Sequence, residues 1–192
     1  ASFGSDGTLA VLLDTTGVAQ AWTVDAPEAW PDQQTFGEDR VTFVEWSPER
    51  PELVFGRDAG GNERTQLFRL APATGETTAL TARPEAKHRW GGWAPDGEQF
   101  AFTANRRDQS AFDVYVSGRD DVGDEATLVH ETDGWVDVAG WSPDGERLAL
   151  VESRSNFDQS VHVLELTDGA VTELTPEGGE SRFGSVEWGP DG

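Results

Sequence analysis

Trp141-Ser142-Pro143-Asp144-Gly145 is a five-residue marker that recurs along this 192-residue chain. Its other copies are Trp46-Ser47-Pro48-Glu49-Arg50, Trp93-Ala94-Pro95-Asp96-Gly97 and Trp188-Gly189-Pro190-Asp191-Gly192. A degenerate copy, Phe3-Gly4-Ser5-Asp6-Gly7, lies 43 residues before Trp46, and the four tryptophans are spaced by 47, 48 and 47 residues. Five markers therefore enclose four repeats of nearly constant length, and the sequence is expected to stop in mid-repeat.

Each repeat contains four short runs of apolar or alternating residues, separated by polar or Gly-containing turns. The first runs are 9–13, 53–55, 100–102 and 148–151, and the second runs are 19–24, 66–70, 112–116 and 161–166. A shorter third run is seen at 77–80 and 171–174, and the fourth run leads to the next tryptophan at 41–46, 89–93, 136–141 and 184–188. No window shows a sustained helical stripe, so the sequence predicts an all-β chain.

The marker has a physical reason to lie between two strands. Proline presets φ at the first central position of a turn, Asp bonds its own backbone, and Gly accepts a positive φ. The aromatic residue before the turn supplies a large apolar side chain where neighbouring sheets would face each other. Four-stranded units with a period of 40 to 50 residues are typical of β-propeller blades, whereas a sandwich or jelly roll needs no near-copies at constant spacing. We expect about four blades of four antiparallel strands.

The composition excludes several classes of protein. Acidic residues number 36 against 14 basic ones, of which Lys87 is the only lysine, and the formal net charge is −22. The acids are spread along the chain, which favours adaptation to a salt-rich cytoplasm over the alternative of a polyanion with a basic partner. Nucleic-acid binding is disfavoured because no basic stripe exists. The absence of cysteine excludes disulfides, thiolate metal sites and a Cys nucleophile, and the longest aliphatic run, 9–13, predicts no membrane span and no signal peptide.

The repeat resembles that of TolB-type propellers and of the amino-terminal propeller of prolyl oligopeptidase family serine peptidases. Residues 141–150 fit the repeat almost letter for letter. Two longer stretches, 60–70 and 86–93, look like segments of salt-adapted archaeal members of the peptidase family, as does the stretch 3–22. Propellers of that family are usually seven- or eight-bladed, so the resemblance implies that residues 1–192 form part of a larger ring.

The resemblance also implies that substrate selection and catalysis belong to two different domains. In such acylaminoacyl- and dipeptidyl-peptidase-like enzymes the propeller restricts entry of peptides to an α/β-hydrolase domain that carries the catalytic residues. No G-x-S-x-G elbow occurs in this sequence, so that domain is expected to be absent and no catalytic residue is carried over. The substrate-gripping glutamates of dipeptidyl peptidases also lack a counterpart. The alternatives are a stand-alone TolB-type module that binds a protein or peptide, and a propeller enzyme that works from its own channel.

None of the residues of this sequence is predicted to be catalytic, to bind a cofactor or to bind a metal ion. The histidines His88, His130 and His162 fall in three different repeats, which favours strand or rim positions over a metal site or general base. The acidic segment 120–125 lacks the ligand spacing of a calcium loop and is interpreted as solvated. Ser47 and Ser142 are interpreted as turn residues rather than nucleophiles.

Arginines and tryptophans leave further alternatives open. Arg57, Arg64, Arg106 and Arg107 follow the first run of their blades, where they either orient a substrate carboxylate or, as we favour, form surface ion pairs. The marker tryptophans are predicted to fill the core between blades. The positions of Trp30, Trp90 and Trp135 are left open. Two uncovered blade faces would also drive the chain to pair with a second copy, unless it closes through its own ends.

Overall fold

A computed structural model of the chain describes residues 1–123, 125–175, 181–183, 185–190 and 192, and these form four antiparallel sheets of four strands. The first blade contains β1 (Ser2–Phe3), β2 (Leu9–Leu13), β3 (Gln20–Val24) and β4 (Asp32–Gln33). The second contains β5 (Val41–Trp46), β6 (Leu53–Arg57), β7 (Gln66–Ala71) and β8 (Glu76–Ala79). The third contains β9 (His88–Trp93), β10 (Gln99–Ala104), β11 (Asp113–Gly118) and β12 (Thr127–His130). The fourth contains β13 (Trp135–Trp141), β14 (Arg147–Ser153), β15 (Gln159–Glu165) and β16 (Val171–Glu173).

Within each blade the strands pair in chain order, so every sheet is a meander of sequential hairpins. This confirms the predicted all-β propeller with four blades of four antiparallel strands. The last of the four predicted runs that lead to a marker tryptophan, 184–188, is the exception. Gly184 lies outside the described residues, and 185–188 form no strand, because no described strand is available as their pairing partner. In the described part of the chain, no helix is long and apolar enough to cross a bilayer.

The chain divides into two compact units, each holding two blades. The first unit comprises residues 1–87 with 121–124, and the second comprises 88–120 with 125–192. A buried apolar cluster in the first unit includes Val41, Trp46 and Phe55. A corresponding cluster in the second unit includes Trp141 and Leu148. Each cluster joins residues from both blades of its unit, which is the arrangement expected when the inner faces of adjacent blades pack together.

Two marker tryptophans, Trp46 and Trp141, belong to these clusters, as predicted. Trp46, Trp93 and Trp141 are buried, and Trp188 is half-buried. The indole Nε1 of Trp141 donates a hydrogen bond of 3.0 Å to the carbonyl oxygen of Gly92 on the neighbouring blade. Trp188 repeats this contact, donating to the carbonyl oxygen of Gly140 at 3.1 Å. In the second unit, each of these two markers therefore both packs and hydrogen-bonds against the residue just before the preceding marker.

Phe3, the degenerate first marker, differs from the prediction because its side chain is exposed. It lies on a two-residue edge strand that pairs only with β2. In the described part of the chain, its ring is therefore left largely in contact with solvent.

Close packing between the third and fourth blades requires a glycine at position 91. A Cβ atom at Gly91 would lie 2.6 Å from the Cβ of Val138 and 3.0 Å from the carbonyl oxygen of Ala101. Gly91 is the extra residue at a register shift between β9 and β10, so the strand bulges where the blades approach most closely.

The marker turns have the conformation that their residues predict. Gly97 and Gly145 adopt φ of 67° and 74°, a region that favours glycine. Each closes its turn by donating its backbone N–H to the carbonyl oxygen three residues earlier, at 2.9 Å in both cases. The hydroxyl of Ser142 bonds the Asp144 carboxylate and accepts the backbone N–H of Arg147 at 2.9 Å. Ser142 is therefore a turn residue, as predicted.

Candidate functional site

A cavity of about 550 Å³ on the fourth blade, which we call the Trp135 pocket, is the candidate site. It lies where the loop 154–158 connects β14 to β15, beside the first residue of β13. Register explains this placement, because Trp135 pairs with Ser153 across the two strands and so brings the start of β13 next to that loop. A volume of this size is typical of sites that bind small molecules or short peptide segments.

Two aromatic side chains form apolar walls of the Trp135 pocket. Trp135 is 49% exposed and Phe157 is 67% exposed, unusually high values for large apolar residues. Trp135 is held from behind, since its ring centroid lies 5.3 Å from that of Phe112 and the Arg89 guanidinium lies 4.8 Å from its centroid. Arg89 is fixed in turn by Asp137, whose two carboxylate oxygens lie 2.8 and 3.1 Å from Nη1. The Trp135 wall is therefore preorganised.

Two arginines supply the charge of the pocket. Arg154 lies at the start of the connecting loop, where its backbone N–H donates to the carbonyl oxygen of Asp158 at 2.9 Å. The nearest carboxylate oxygen to its guanidinium in a described ion pair belongs to Glu152, at 4.0 Å. Arg182 lies on the segment 181–183, and no hydrogen bond or ion pair of its guanidinium is found among the described residues. Both guanidinium groups therefore have N–H donors that are available to bind an anionic group.

Gln159 holds the two sides of the pocket together. Its backbone N–H donates to the carbonyl oxygen of Ser181, and its side-chain oxygen accepts the backbone N–H of Phe183, both at 2.9 Å. Its amide nitrogen donates to the hydroxyl of Ser153 at 3.1 Å. The segment that carries Arg182 is thereby tied to β15.

The polarity of the Trp135 pocket differs from that of the whole molecule. The remaining lining residues are Ser153, Ser155 and Asn156, so no carboxylate is among the described residues that line it. The protein as a whole carries 36 acidic and 14 basic residues. A cavity with two arginines, two aromatic rings, hydroxyls and an amide is suited to a ligand with one anionic group and an apolar body.

A second cavity, of about 250 Å³, places two of the histidines together. The cavity lies between the third and fourth blades, and His130, Glu152 and His162 are among the residues that line it. His162 Nε2 lies 2.8 Å from the Ser160 hydroxyl and 3.3 Å from Glu152 Oε2. Burial, followed by the nearby His162, lowers the pKa of His130. Spacing alone missed this proximity, because the two histidines lie 32 residues apart in different repeats.

This histidine cavity does not have the geometry of a nucleophilic triad. Ser160 and Glu152 approach the same nitrogen of His162, whereas a triad needs the acid on the opposite ring nitrogen from the nucleophile. Ser160 is also buried. In the part of the chain that the structure describes, no group of three or more His, Asp or Glu side chains is placed to hold a metal ion.

The four loop arginines singled out from the sequence have different environments. Arg107 pairs with Asp113 at 2.9 Å, but Asp113 is fully buried, so this is not a pair between surface groups. Arg106 donates from Nε to His88 Nε2 at 3.0 Å, and its guanidinium lies over aromatic rings, as does that of Arg57 at the end of β6. Arg64 is exposed. Packing against aromatic rings therefore contributes to the placement of Arg57 and Arg106.

The other residues singled out from the sequence are His88, the acidic segment 120–125, Trp90 and Trp30. His88 is a buried residue of β9. In the acidic segment 120–125, Asp120 pairs with Arg119 at 2.8 Å, and Asp124 lies outside the described residues. Trp90 packs against Trp93 and Phe100, and Trp30 is exposed.

Comparisons with solved structures identify the fold. TolB from Acinetobacter baumannii aligns with a TM-score of 0.68 and 18% identity, over 93% of this chain and 43% of that chain. One of two analysed prolyl endopeptidases aligns with a TM-score of 0.69 and 14% identity, over 88% of this chain and 28% of that chain. An oligogalacturonate lyase in complex with manganese aligns with a TM-score of 0.69 and 10% identity, over 90% of this chain and 51% of that chain. No family model matches the sequence, and no curated protein matches it significantly.

The chain spans 43%, 28% and 51% of the length of these three proteins. Proteins of different activity thus share the same arrangement of blades, so their likeness describes the fold and not the chemistry. The chain is a β-propeller similar in fold to TolB and to the propeller domains of prolyl endopeptidases.

Proposed function

We propose that this chain is the non-catalytic, substrate-gating propeller segment of a prolyl oligopeptidase family serine peptidase that hydrolyses short peptides in a salt-rich cytoplasm. Its partners in this role are an α/β-hydrolase domain of the parent chain and the peptide substrate. The Trp135 pocket carries the proposal, because it offers a preorganised Trp135 ring beside amide and guanidinium groups, on a fold similar to that of prolyl endopeptidases. Aromatic walls suit peptide side chains, while polar groups suit the peptide backbone.

The resemblance of residues 60–70 and 86–93 to peptidase propellers adds support from the sequence. A propeller without catalytic groups contributes to peptide hydrolysis by selecting which peptides reach the reacting groups, and its loops are the parts able to discriminate. The pocket lies beside such a loop, 154–158.

Sequencing of the reading frame beyond Gly192 tests the parent enzyme first. We expect a strand-turn-helix segment with G-x-S-x-G, followed by Asp and then His. The full-length protein should then react with a fluorophosphonate and cleave short peptides faster than long folded proteins. Absence of the elbow from the whole reading frame would refute the peptidase proposal.

A TolB-type module that binds a protein or peptide is the second candidate. The specific observation in its favour is the alignment with TolB, which covers 93% of this chain. This candidate predicts a reading frame with further blades or a small adaptor domain, no reaction with a fluorophosphonate, and a stable complex with a partner.

A further inference from the structure

We infer that the Trp135 pocket binds a peptide carboxylate, with an apolar side chain of the same peptide against Trp135 and Phe157. This inference rests on the proposed role in peptide handling and names the chemical group that the pocket selects. The carboxylate comes either from the carboxyl terminus of the peptide or from an acidic side chain next to an apolar residue.

The local charge of the Trp135 pocket favours an anionic ligand. The described residues that line the pocket include Arg154 and Arg182 but no Asp or Glu. A chain with a net charge of −22 repels anions at most of its surface. A cavity of the opposite local sign is therefore the place where an anionic ligand is favoured.

The ion pairs of the neighbouring arginines are the second argument. Arg89 and Arg107, on the adjacent blade, each have a carboxylate partner within 3 Å, namely Asp137 and Asp113. Arg154 lies 4.0 Å from Glu152 Oε2, an oxygen that also lies 3.3 Å from His162. The structure therefore leaves the two pocket arginines without a close carboxylate among the described residues, and guanidinium groups bind carboxylates through paired N–H donors.

The apolar walls are the third argument. A simple inorganic anion would need only the arginines, whereas Trp135 and Phe157 expose large ring surfaces beside them. The Asn156 side chain at the same loop is exposed and supplies donor and acceptor atoms for a peptide bond. An anionic group, an amide and an apolar side chain together describe a peptide with a carboxylate.

The inference is tested by calorimetric titration of the chain, in concentrated KCl, with three peptides that differ in charge. The first is N-acetyl-Gly-Gly-Phe with a free carboxyl terminus, the second is its carboxyl-terminal amide, and the third is N-acetyl-Gly-Glu-Phe amide. We expect the first or third to bind roughly tenfold to a hundredfold more tightly than the neutral amide, the range for loss of a charge-assisted hydrogen bond. The first binding best would assign the terminal carboxylate, and the third would assign the side chain.

Matched variants locate the binding. Arg154→Gln and Arg182→Gln should each weaken binding of the acidic peptide by roughly tenfold, and Trp135→Ala should weaken both acidic and neutral peptides. Arg64→Gln is the control, because it removes the same charge from an exposed arginine in the other unit. All three arginines are exposed, so these variants are expected to fold, and circular dichroism checks this.

Two results would overturn the inference. One is equal affinity, or no affinity, for the acidic peptides and the neutral amide. The other is a loss of binding in Arg64→Gln as large as in the two pocket variants. These results are separate from the reading-frame test: a G-x-S-x-G elbow without carboxylate preference removes only this site, whereas carboxylate preference without the elbow makes the chain a peptide-binding module.

Discussion

Replacement of Trp141 by phenylalanine tests whether this tryptophan joins neighbouring blades by hydrogen bonding as well as by packing. Trp141 is 8% exposed, lies in the core of the second unit and donates from Nε1 to the carbonyl oxygen of Gly92 at 3.0 Å. Phenylalanine retains an aromatic ring but removes the donor and part of the volume. The bond links β13 to β9, so the change acts on the contact between two blades.

The expected loss follows from these contacts. Gly92 is half-buried, so loss of the donor to its carbonyl oxygen costs about 0.5–1.5 kcal/mol, the net value of a typical hydrogen bond. Truncation of a core tryptophan to alanine costs about 3–5 kcal/mol. We therefore expect Trp141→Phe to be clearly less stable than the wild type and Trp141→Ala to be less stable again. For a chain of this length, each kcal/mol lowers the melting temperature by about 2–4 °C.

Thermal unfolding in concentrated KCl, followed by circular dichroism, measures these losses. Trp30→Phe is the matched control, because Trp30 is 91% exposed and should change the melting temperature little. Trp188→Phe removes the equivalent bond to Gly140 from a half-buried residue and should cost less than Trp141→Phe. Equal melting temperatures of the Trp141→Phe and Trp30→Phe proteins would refute the reasoning.

Three further predictions concern packing, acid and salt. Gly91→Ala should lower the melting temperature, because the new Cβ would lie 2.6 Å from that of Val138. Gly140→Ala is the control, since no atom lies within 4 Å of its Cβ and the change acts only through the backbone. Equal losses of melting temperature in the two variants would contradict the packing argument. Hydrogen bonds from Ser142 and from the backbone of Glu146 lower the pKa of Asp144 from 3.8 to about 2. The stability that this carboxylate contributes is therefore present above pH 3.8 and lost as the pH falls toward 2, so acid titration of Asp144→Asn should show a smaller loss over that range. Because the net charge is −22, the melting temperature should rise as KCl is increased, and a salt-independent melting temperature would contradict adaptation to salt.

The repeat architecture could be predicted because its determinants are local in sequence. Strand pairing follows from short alternating runs, and the marker turn depends on adjacent Pro, Asp and Gly residues. The positive φ of Gly97 and Gly145 and the buried positions of Trp46, Trp93 and Trp141 agree with these rules. The prediction failed for 185–188, which form no strand with any described residue, and for Phe3, whose ring is exposed although the local pattern is present.

The candidate site could not be predicted, because its parts are distant in sequence. Trp135, Arg154 and Arg182 carry no shared motif. They meet only after β13 pairs with β14 and Gln159 binds the segment 181–183. The same holds for His130 and His162, which come together across two blades.

The sequence by itself determined the period, the strand order and the turn conformations of this protein, since these depend on residues within a few positions of one another. The tertiary structure decided which arginines are held by rings or buried carboxylates and which face a cavity. Arg106 packs on Phe102 and Tyr115, whereas Arg154 lines the Trp135 pocket, although both lie in the corresponding loop of their blades. The physical reason is that the surroundings of a side chain are set by contacts between blades and between strands, which residue spacing does not encode.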